Sequence, residues 1–315
     1  ENMKIIVDPK QPLDFETSAG IGNFDGIHLG HKEIIEAAKL RSRENSTHSC
    51  VITFNPHPQK VLGRKELSLI FPLGWRFEML EATGIDAVIC LNFTCELSKV
   101  SAENFIKDIL LERLRIKDIV VGPGFSFGHK RKGNVDLLRS MGETYGFNTV
   151  VAEVARVDDQ VVSSSAIRNL VKGGEISEAN RFFGYDYYIE GVVVEGERRG
   201  RKLGFPTVNL DTEWEILPKP GVYATYIRLP DGFHESITNI GIRPTFEESK
   251  LTVETHIFDF NDDLYGKKVR VNFVERLRDE KRFASVDELV AQIEHDVASV
   301  REILCDYPKD ERIWK

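Results

Sequence analysis

The hydrophobic pattern of this chain changes near Gly184, and that change limits the folds open to it. Before Gly184, short apolar runs are separated by longer stretches with helical spacing. After it, apolar runs follow one another with turn residues between them. Strands separated by helices predict a parallel sheet, whereas consecutive strands predict a small antiparallel barrel or sandwich. We therefore predict two domains, residues 1–184 and 185–315, which the length of 315 residues also favours.

The first half alternates predicted strands with predicted helices. The strands are Ser18–Phe24, Ser49–Phe54, Ala87–Phe93, Asp118–Val121 and Thr149–Val154. The helices lie near Gly30–Arg43, Pro72–Ala82, Ser101–Leu114, Asn134–Tyr145 and Ser164–Val171. Ligands of parallel sheets gather at the carboxyl ends of the strands. Residues directly after a strand are therefore the first candidates for a functional site.

The second half is predicted to be mostly strands, closed by one long helix. The strands are Tyr188–Val194, Gly221–Arg228, Ser236–Ile240, Leu251–Phe258 and Lys268–Phe273. Ser285 and Glu288 have the spacing of a capping box at the start of the helix. Apolar residues then recur on one helix face, which we expect to pack on the barrel: Val286, Leu289, Val290, Ile293, Val297 and Val300.

Composition narrows the classes of protein to which the chain can belong. A net charge of −8 argues against a general nucleic-acid binder, which usually has a basic face. No apolar run reaches the length of a membrane span, and the acidic, polar N-terminus does not resemble a secretory signal. The four cysteines are scattered, so we expect Cys90 and Cys95 to be buried free thiols in a reducing cytoplasm. The oligomeric state is left open.

The segment Gly22–His31 follows the first strong strand and opens a helix. Its glycines allow a close approach of the backbone to phosphates, and the helix start adds N–H groups and a positive dipole. The imidazoles of His28 and His31 can donate hydrogen bonds to charge that develops on phosphorus. Taken alone, the two histidines are explained equally well as a capping residue and a surface residue.

Three later segments of the first half have related chemistry. Thr53–Pro58 ends a strand with an aromatic ring and two prolines, a rigid surface for stacking a flat ring. Val121–Gly133 is a loop of glycine, aromatic and basic residues, for which a flexible solvated loop is the alternative. Ser163–Arg168 places serines at a helix start with an arginine one turn later. This run predicts a phosphate site, although an ordinary serine cap explains it as well.

These four segments, in this order, resemble the adenylyltransferase module of the prokaryotic bifunctional riboflavin kinase/FAD synthetase family. The resemblance implies a Rossmann-like, doubly wound nucleotidylyltransferase fold and the transfer of AMP from ATP to FMN, with release of pyrophosphate. It implies that His28 and His31 are catalytic. By the same resemblance, residues at the ATP phosphates are Asn23, Gly30, Ser164, Ser165 and Arg168, and residues at the flavin are Phe54, Pro56, His57 and Pro58.

Gly124 departs from the family pattern, which has Asp or Asn at this position of the loop. Glycine has no side chain with which to hold adenine or ribose groups. We therefore expect the adenylyl transfer step to proceed with weaker binding of ATP. A chain in which only the kinase step is intact is the first alternative.

Gly200–Leu210 joins a basic glycine loop to a strand. The loop can wrap phosphates with backbone amides and cationic side chains, although it is not a Walker loop. Thr207 and Asn209 are two residues apart, so their side chains point to the same side of a strand. A hydroxyl and an amide oxygen can hold Mg²⁺ together with nucleotide phosphates. A basic hairpin turn before a barrel strand is the alternative.

Glu254 lies inside a predicted apolar strand, where a carboxylate is either solvated on the outer side or placed as a general base. Context favours the base, because the whole half resembles riboflavin kinase in five ordered segments. These are Gly200–Leu210, Gly221–Ala224, Asn239–Phe246, Val253–Gly266 and Arg276–Glu280.

The riboflavin kinase resemblance implies a six-stranded antiparallel barrel with a C-terminal helix. It implies that Glu254 is the general base on the terminal ribityl hydroxyl of riboflavin, and that Arg278 lines the flavin pocket. By the same resemblance, Thr207 and Asn209 bind Mg²⁺, and the phosphates of ATP lie at Gly200, Arg201 and Gly204.

Together the two resemblances predict a cytoplasmic enzyme that converts riboflavin to FMN and FMN to FAD with two molecules of ATP. Its predicted partners are these small molecules, without nucleic acid or membrane. A flavin- or nucleotide-binding regulator without turnover is the second alternative. The joint presence of two histidines, the Thr-Asn pair and Glu254 argues against it, because a binder would not require them.

Overall fold

The computed structural model describes residues 2–63, 66–196, 200, 203–244 and 249–308. Arg201, Thr245 and Phe246 of the predicted motifs lie outside the described residues. The chain divides into two compact units, Glu1–Ser164 and Ser165–Lys315. This division falls before residue 184, because two helices that precede residue 184 group with the barrel.

The first unit contains a six-stranded sheet in which every pairing is parallel. Its strands are β1 (Lys4–Val7), β2 (Thr17–Ile21), β3 (His48–Asn55), β4 (Ala87–Asn92), β5 (Ile116–Val121) and β6 (Asn148–Val151). Their order across the sheet is β1-β4-β3-β2-β5-β6. The sequence does not predict β1, a short edge strand whose Ile5 and Val7 are 51% and 68% exposed. The predicted parallel α/β fold is confirmed.

Helices connect these strands largely as predicted. They are α1 (Leu29–Asn45), α2 (Pro58–Val61), α3 (Leu73–Ala82), α4 (Ala102–Asn104) and α5 (Val135–Tyr145). The helix expected over Ser101–Leu114 begins as α4 and continues as a π-helix, Phe105–Arg113. A two-stranded hairpin, β7 (Arg156–Val157) and β8 (Gln160–Val161), follows the sheet and was not predicted.

Helices cover both faces of the sheet. Ala19 and Ile21 of β2 pack in one apolar core with residues of the π-helix and α5, such as Phe105 and Leu138. Gly20 points to the opposite face, where α1 crosses so closely that an added Cβ would lie 2.5 Å from Cγ2 of Ile34. Two covered faces are the feature that makes the sheet doubly wound.

The strand order reverses at β2, since β3 lies on one side of it and β5 on the other. In such sheets the crevice at the carboxyl ends of the strands flanking the reversal is the usual ligand site. Gly22–His31 follows β2, Thr53–Pro58 ends β3, and the Gly124 loop follows β5. The topology therefore brings three of the predicted segments to one edge of the sheet.

The opposite end of the sheet is held together by the buried carboxylate of Asp118. Its donors are Ser18 Oγ (2.6 Å), Asn45 Nδ2 (2.7 Å), Asn148 Nδ2 (2.9 Å) and the Arg41 guanidinium (3.0 and 3.1 Å). Burial alone would raise the pKa of this carboxyl, but these hydrogen bonds together hold the pKa below its ordinary value. The network is structural and joins β2, α1, β5 and β6.

We expect Asp118→Asn to destabilise the first unit by roughly 1–3 kcal/mol, because the amide at this buried position cannot accept from all of these donors. Faster hydrogen exchange in β2 and β5 would measure the loss. Since the folded pKa is depressed, the stabilisation is present above the unfolded pKa near 3.9 and disappears as pH falls through the folded value. Asp136→Asn is the control, because Asp136 is 88% exposed and its carboxylate is 3.9 Å from Arg139. Equal exchange in the two variants would contradict this role of Asp118.

The second unit is built on a closed antiparallel barrel, as the kinase resemblance implies. Its strands are β9 (Tyr188–Val194), β10 (Thr207–Asp211), β11 (Gly221–Leu229), β12 (Gly232–Pro244), β13 (Ser249–Ile257) and β14 (Lys268–Arg278). They close in the order β10-β13-β12-β11-β14-β9. The helices of this unit are α6 (Ser164–Gly173), α7 (Ile176–Phe183) and α8 (Val286–Cys305).

Packing explains why α7 belongs with the barrel. Phe182 and Phe183 are fully buried. Between α7 and the barrel, Asn180 donates to the carbonyl of Phe273 at 2.8 Å and accepts from the backbone N–H of Tyr187 at 2.8 Å. The amide of Asn180 therefore joins α7 to β14 and to the residue before β9.

The C-terminal helix α8 covers part of the outer surface of the barrel. Val300 and Leu304 pack in one core with Val222 and Ala224 of β11, which confirms the expected packing. Ser285 accepts the backbone N–H of Glu288 at 3.2 Å, as the capping box predicts. Val286 is 60% exposed and lies outside this contact, contrary to expectation, because the packed face begins further along the helix.

Hydroxyl groups fill part of the barrel interior. The hydroxyl of Thr225 lies 2.8 Å from that of Ser236 and 2.9 Å from that of Thr238, which in turn lies 2.9 Å from that of Thr255. All four residues are fully buried. Since Thr255 points inward, its neighbours Glu254 and His256 point to the outer surface of the barrel.

The four cysteines are free. Cys90 is buried as expected, whereas Cys95 is exposed because it lies beyond the end of β4. Within the described ranges, no group of three or more His, Cys, Asp or Glu side chains is suited to hold a metal ion. Among the helices of the described chain, none combines the length and apolar character that a membrane crossing needs.

Candidate active sites

The backbone after β2 is tightly folded around Asp25 and the two histidines. Phe24, Gly26 and Ile27 all have positive φ angles, of 48°, 98° and 38°. Such angles are costly for Phe and Ile, and here both side chains are completely buried, so packing offsets the strain. The turn ends at His28, the residue that precedes α1.

The two imidazoles stack on each other at the start of α1. Their centroids are 3.7 Å apart with an angle of 20° between the rings, and His31 also contacts Phe24. The backbone N–H of His28 donates to Nδ1 of His31 at 3.3 Å. Because Nδ1 of His31 accepts this bond, the neutral ring has its proton on Nε2. The ring is thereby fixed as a donor at Nε2.

His28 is buried and is positioned by Ser164. Nε2 of His28 lies 3.3 Å from Oγ of Ser164, and that hydroxyl donates to the carbonyl of Asp25 at 2.8 Å. Gly30 lies against the ring, since an added Cβ would be 3.2 Å from Cε1 of His28. The first unit therefore brings together His28, Gly30, His31 and Ser164. Their catalytic and phosphate-binding roles stay predictions.

Asn23 is held by contacts that sequence reasoning missed. Its carbonyl accepts from the hydroxyl of Thr53 and from Nη1 of Arg76, both at 3.0 Å. Arg76 is a buried cation, and the carboxylate of Asp25 accepts backbone N–H groups of Ile70 and Phe71 at 3.0 to 3.4 Å. The available signal for Arg76 was a cation between two aromatic residues, Trp75 and Phe77, in the predicted helix Pro72–Ala82.

The predicted flavin segment continues from β3 at the same edge of the sheet. Phe54 is half-buried and meets Phe93 edge to face, with centroids 5.8 Å apart. Pro56 is exposed and Pro58 half-buried, and the Asn55–Pro56 peptide bond is cis. His57 is buried and caps α2 by accepting the N–H of Gln59 at 3.2 Å. The role of this segment at a flavin stays a prediction.

Gly124 is exposed in the loop after β5, and a Cβ added there would meet no atom within 4 Å. The nearby Gly128 differs, because its φ is +70° and an added Cβ would lie 2.6 Å from Cα of Ala102. The loop is thus constrained at Gly128 and open at Gly124. Ser165 and Arg168 lie on α6 in the second unit, and their phosphate role also stays a prediction.

The residues of the second candidate site are brought together by the register of three barrel strands. Glu254 of β13 pairs directly with Asn209 of β10 on one side and with Asn239 of β12 on the other. Two residues along β13, His256 pairs with Thr207 in the same way. Directly paired side chains in antiparallel strands lie roughly 5 Å apart at Cβ. Glu254 is therefore directly beside Asn209 and diagonal to Thr207, the two predicted metal ligands.

A cavity of about 290 Å³ opens at this surface, and Glu254 and Thr207 line it. The barrel contributes Val222, Ile237, Asn239 and His256, the preceding loop contributes Gly200, Leu203 and Phe205, and the C-terminal segment contributes Arg278, Glu280, Lys281, Phe283, Leu289, Ile293 and Asp296. Glu254 is half-buried, so it is neither a solvated surface residue nor part of the core. The wall combines apolar side chains with a few polar groups, which is typical of small-molecule sites.

The loop before β10 forms a tight turn. The carbonyl of Gly200 accepts the N–H groups of Leu203 (3.0 Å) and Phe205 (2.9 Å). Gly204 has a φ of +89°, which requires glycine. On the neighbouring strand end, a Cβ at Gly196 would lie 2.1 Å from Nδ2 of Asn209. Close packing against Gly196 thus restricts the side-chain amide of Asn209.

Arg278 lines the cavity, and it is paired with an acid that the sequence reasoning missed. Its role at a flavin stays a prediction. Its Nη2 lies 2.7 Å and its Nε 3.0 Å from Oδ2 of Asp296, which is 4% exposed. Gln292 also donates to Asp296 at 2.9 Å. The signal was a carboxylate on the apolar face of α8, between Ile293 and Val297. The pair joins the end of β14 to α8 beside the cavity.

Comparisons with known proteins also divide the chain into two parts. An FAD synthetase family model matches residues 10–166, and a riboflavin kinase family model matches residues 183–304. A bifunctional riboflavin kinase/FMN adenylyltransferase of Pseudomonas fluorescens is 34% identical over 286 residues, covering 90% of this chain and 92% of the relative. The protein of the same description from Escherichia coli strain K12 is 34% identical over 284 residues, covering 90% and 91%.

A crystal structure described as a macrolide-efflux protein from Streptococcus pneumoniae superposes with a TM-score of 0.88. It is 27% identical and the match covers 97% of this chain and 100% of that one. The sequence relatives and the two family models agree with the predicted family and with both predicted catalytic modules. This chain belongs to the bifunctional riboflavin kinase/FMN adenylyltransferase family.

Proposed function

We propose that this chain phosphorylates riboflavin at the barrel and adenylylates FMN at the parallel sheet, with ATP as the donor in both steps. The observation that carries the kinase assignment is the position of Glu254, half-buried in the wall of a cavity and paired with Asn209 and Asn239. A primary hydroxyl keeps its proton at neutral pH. A carboxylate in this position is suited to accept that proton as the oxygen attacks phosphorus.

In the proposed kinase step the terminal ribityl oxygen forms a bond to the γ-phosphorus, and the bond between that phosphorus and the leaving ADP oxygen breaks. The hydroxyl proton passes to Glu254. Gly200 and Gly204 are proposed to receive the phosphates with their backbone amides, and the positive φ of Gly204 gives the turn its bend. Arg278, fixed by Asp296, is proposed to border the flavin.

The residues at the barrel fit a magnesium ion accompanying ATP. Thr207 and Asn209 offer a hydroxyl and an amide oxygen on the same side of β10, and Mg²⁺ prefers oxygen ligands. Gly196 restricts the Asn209 amide, which favours a fixed ligand. When bound, the ion would neutralise phosphate charge. We propose these two residues as its protein ligands.

In the proposed adenylyl transfer, a phosphate oxygen of FMN attacks the α-phosphorus of ATP and pyrophosphate leaves. The nucleophile is already ionised, so the site needs donors and alignment more than a base. His31, with its proton fixed on Nε2, can donate to the developing charge. His28, held by Ser164, is proposed to act beside it, with Asn23, Gly30, Ser165 and Arg168 at the phosphates and Phe54–Pro58 at the flavin.

We also propose a functional boundary at residue 184 between the two modules. The riboflavin kinase match, which begins at residue 183, supports it. The free thiols support a reducing compartment, which we propose to be the cytoplasm. The proposed partners are riboflavin, FMN and ATP, without nucleic acid or membrane.

Incubation of the chain with riboflavin, ATP and Mg²⁺, followed by chromatographic separation, tests the proposal. FMN and FAD together are the expected products. FMN alone would indicate that only the kinase step is intact. The absence of both would contradict the proposal and favour a binding protein without turnover.

Substitution of Gly124 tests whether this departure from the family pattern weakens the binding of ATP. We expect Gly124→Asn to lower the Michaelis constant for ATP in the conversion of FMN to FAD, because the new amide can hold adenine or ribose groups. The side chain has open space, so the fold should not change. Gly74→Asn is the matched control, since an added Cβ at this exposed position in α3 also meets no atom within 4 Å. An unchanged Michaelis constant for ATP in Gly124→Asn would refute the idea.

A further inference from the structure

The loop that forms one wall of the barrel cavity is fastened to β13 by a side chain. Nδ1 of His256 lies 2.8 Å from the carbonyl oxygen of Pro206. A carbonyl oxygen can only accept, so Nδ1 carries the proton and the imidazole is the donor. This bond joins the strand of Glu254 to the residue that precedes Thr207.

The backbone ladder does not provide this connection. The pairing of β10 with β13 runs from Leu210 opposite Val253 to Thr207 opposite His256, where it ends. Pro206 is the next residue and has no N–H to donate. Its carbonyl lies just beyond the last backbone pair and takes its hydrogen bond from the His256 side chain instead.

The same imidazole also contacts the loop through its ring. Phe205 meets it edge to face, with centroids 5.6 Å apart and an angle of 83°, and the ring of Phe258 is 5.8 Å from it. Phe205 is itself bound to Gly200 through its backbone N–H. Phe205 is therefore held by Gly200, and Pro206 is held by His256. Gly200, Phe205 and His256 all line the cavity.

We infer that His256 is a positioning residue for the nucleotide in the kinase reaction: it holds Pro206 and the segment Leu203–Phe205 against β13, so that the backbone amide of Gly204 and the hydroxyl of Thr207 are correctly placed for the phosphates of ATP. This inference rests on the proposed kinase function of the barrel. It does not require His256 to exchange a proton with the substrate.

Three substitutions separate this role from simple packing. Asn places its side-chain N–H close to the position of Nδ1, and Gln places it close to that of Nε2. His256→Ala and His256→Gln should therefore lose the bond to Pro206, and His256→Asn should retain it. We expect the Michaelis constant for ATP in FMN formation to rise about tenfold in Ala and Gln, with a smaller rise in Asn. The Michaelis constant for riboflavin should change little.

Hydrogen exchange provides a readout that does not depend on turnover. The amides of Leu203 and Phe205 should exchange faster in His256→Ala and His256→Gln than in the unmodified chain, and His256→Asn should restore protection. Formation of FAD from supplied FMN should be unchanged, and unchanged protection of the β11 and β14 amides shows that the barrel is folded. Equal protection and equal Michaelis constants in Asn and Gln would overturn the inference. If the unmodified chain makes no FMN, the proposed kinase function is refuted. Faster exchange of the Leu203 and Phe205 amides in His256→Ala would then still support the role of the His256–Pro206 hydrogen bond in holding the loop.

Discussion

Replacing Glu254 by Gln is expected to abolish most FMN formation while leaving the conversion of supplied FMN to FAD intact. Glutamine has nearly the same shape as glutamate, so the wall of the cavity and the pairing with Asn209 and Asn239 should persist. What is lost is the group that accepts the proton of the ribityl hydroxyl. General base catalysis is typically worth about 10²–10⁴-fold in rate, which sets the expected loss of kcat.

The measurement is the rate of FMN formation from riboflavin and ATP, compared with the rate of FAD formation from FMN and ATP in the same preparation. Glu275→Gln is the control, because Glu275 is an exposed glutamate of β14 in the same barrel. It should change neither rate. A full kinase rate in Glu254→Gln would exclude Glu254 as the base, and equal loss of both steps would contradict two independent sites.

The fold could be predicted from the sequence wherever the apolar pattern was strong. The strands β2 to β5 are continuous buried runs, so their positions and the parallel sheet followed from the pattern alone. The position of β1 did not follow from the pattern, because this strand has four residues, lies at an edge and leaves Ile5 and Val7 largely exposed. The grouping of α7 with the barrel could not be predicted either, because it depends on the long-range hydrogen bonds of Asn180 to Phe273 and Tyr187.

Some residues of the candidate sites could also be placed from the local sequence pattern, and others could not. The motif residues His28 and His31 lie at the start of α1 and Thr207 begins β10, so their positions followed from local pattern. Asn239 and His256 acquire a role only through the register of β13 with its neighbours, and strand register is a tertiary property. For Asp296 the sequence gives part of the answer. A carboxylate on an apolar helix face indicates a buried partner, but the sequence does not identify that partner as Arg278.

His31→Ala is expected to reverse the effect of Glu254→Gln, with loss of FAD formation and retention of the kinase step. Removal of one donor to transition-state charge typically costs about 10²–10³-fold in kcat. His31 is the better test than His28, because His28 is buried and bound to Ser164, so its loss would also disturb the fold. FAD formation from supplied FMN measures the effect, FMN formation from riboflavin reports on the integrity of the barrel, and hydrogen exchange in β2 and β5 reports on the integrity of the first unit.

The position of the proton distinguishes donation by His31 from packing of its ring against His28 and Phe24. If Nε2 is the donor, His31→Gln should retain more adenylyl transfer than His31→Asn, because Gln places an N–H group close to the position of Nε2. Asn instead places its amide near Nδ1, where the ring accepts the backbone N–H of His28. A higher rate in Asn than in Gln would mean that fixing the turn at His28 matters more than donation to phosphorus, and would remove His31 from the chemical step.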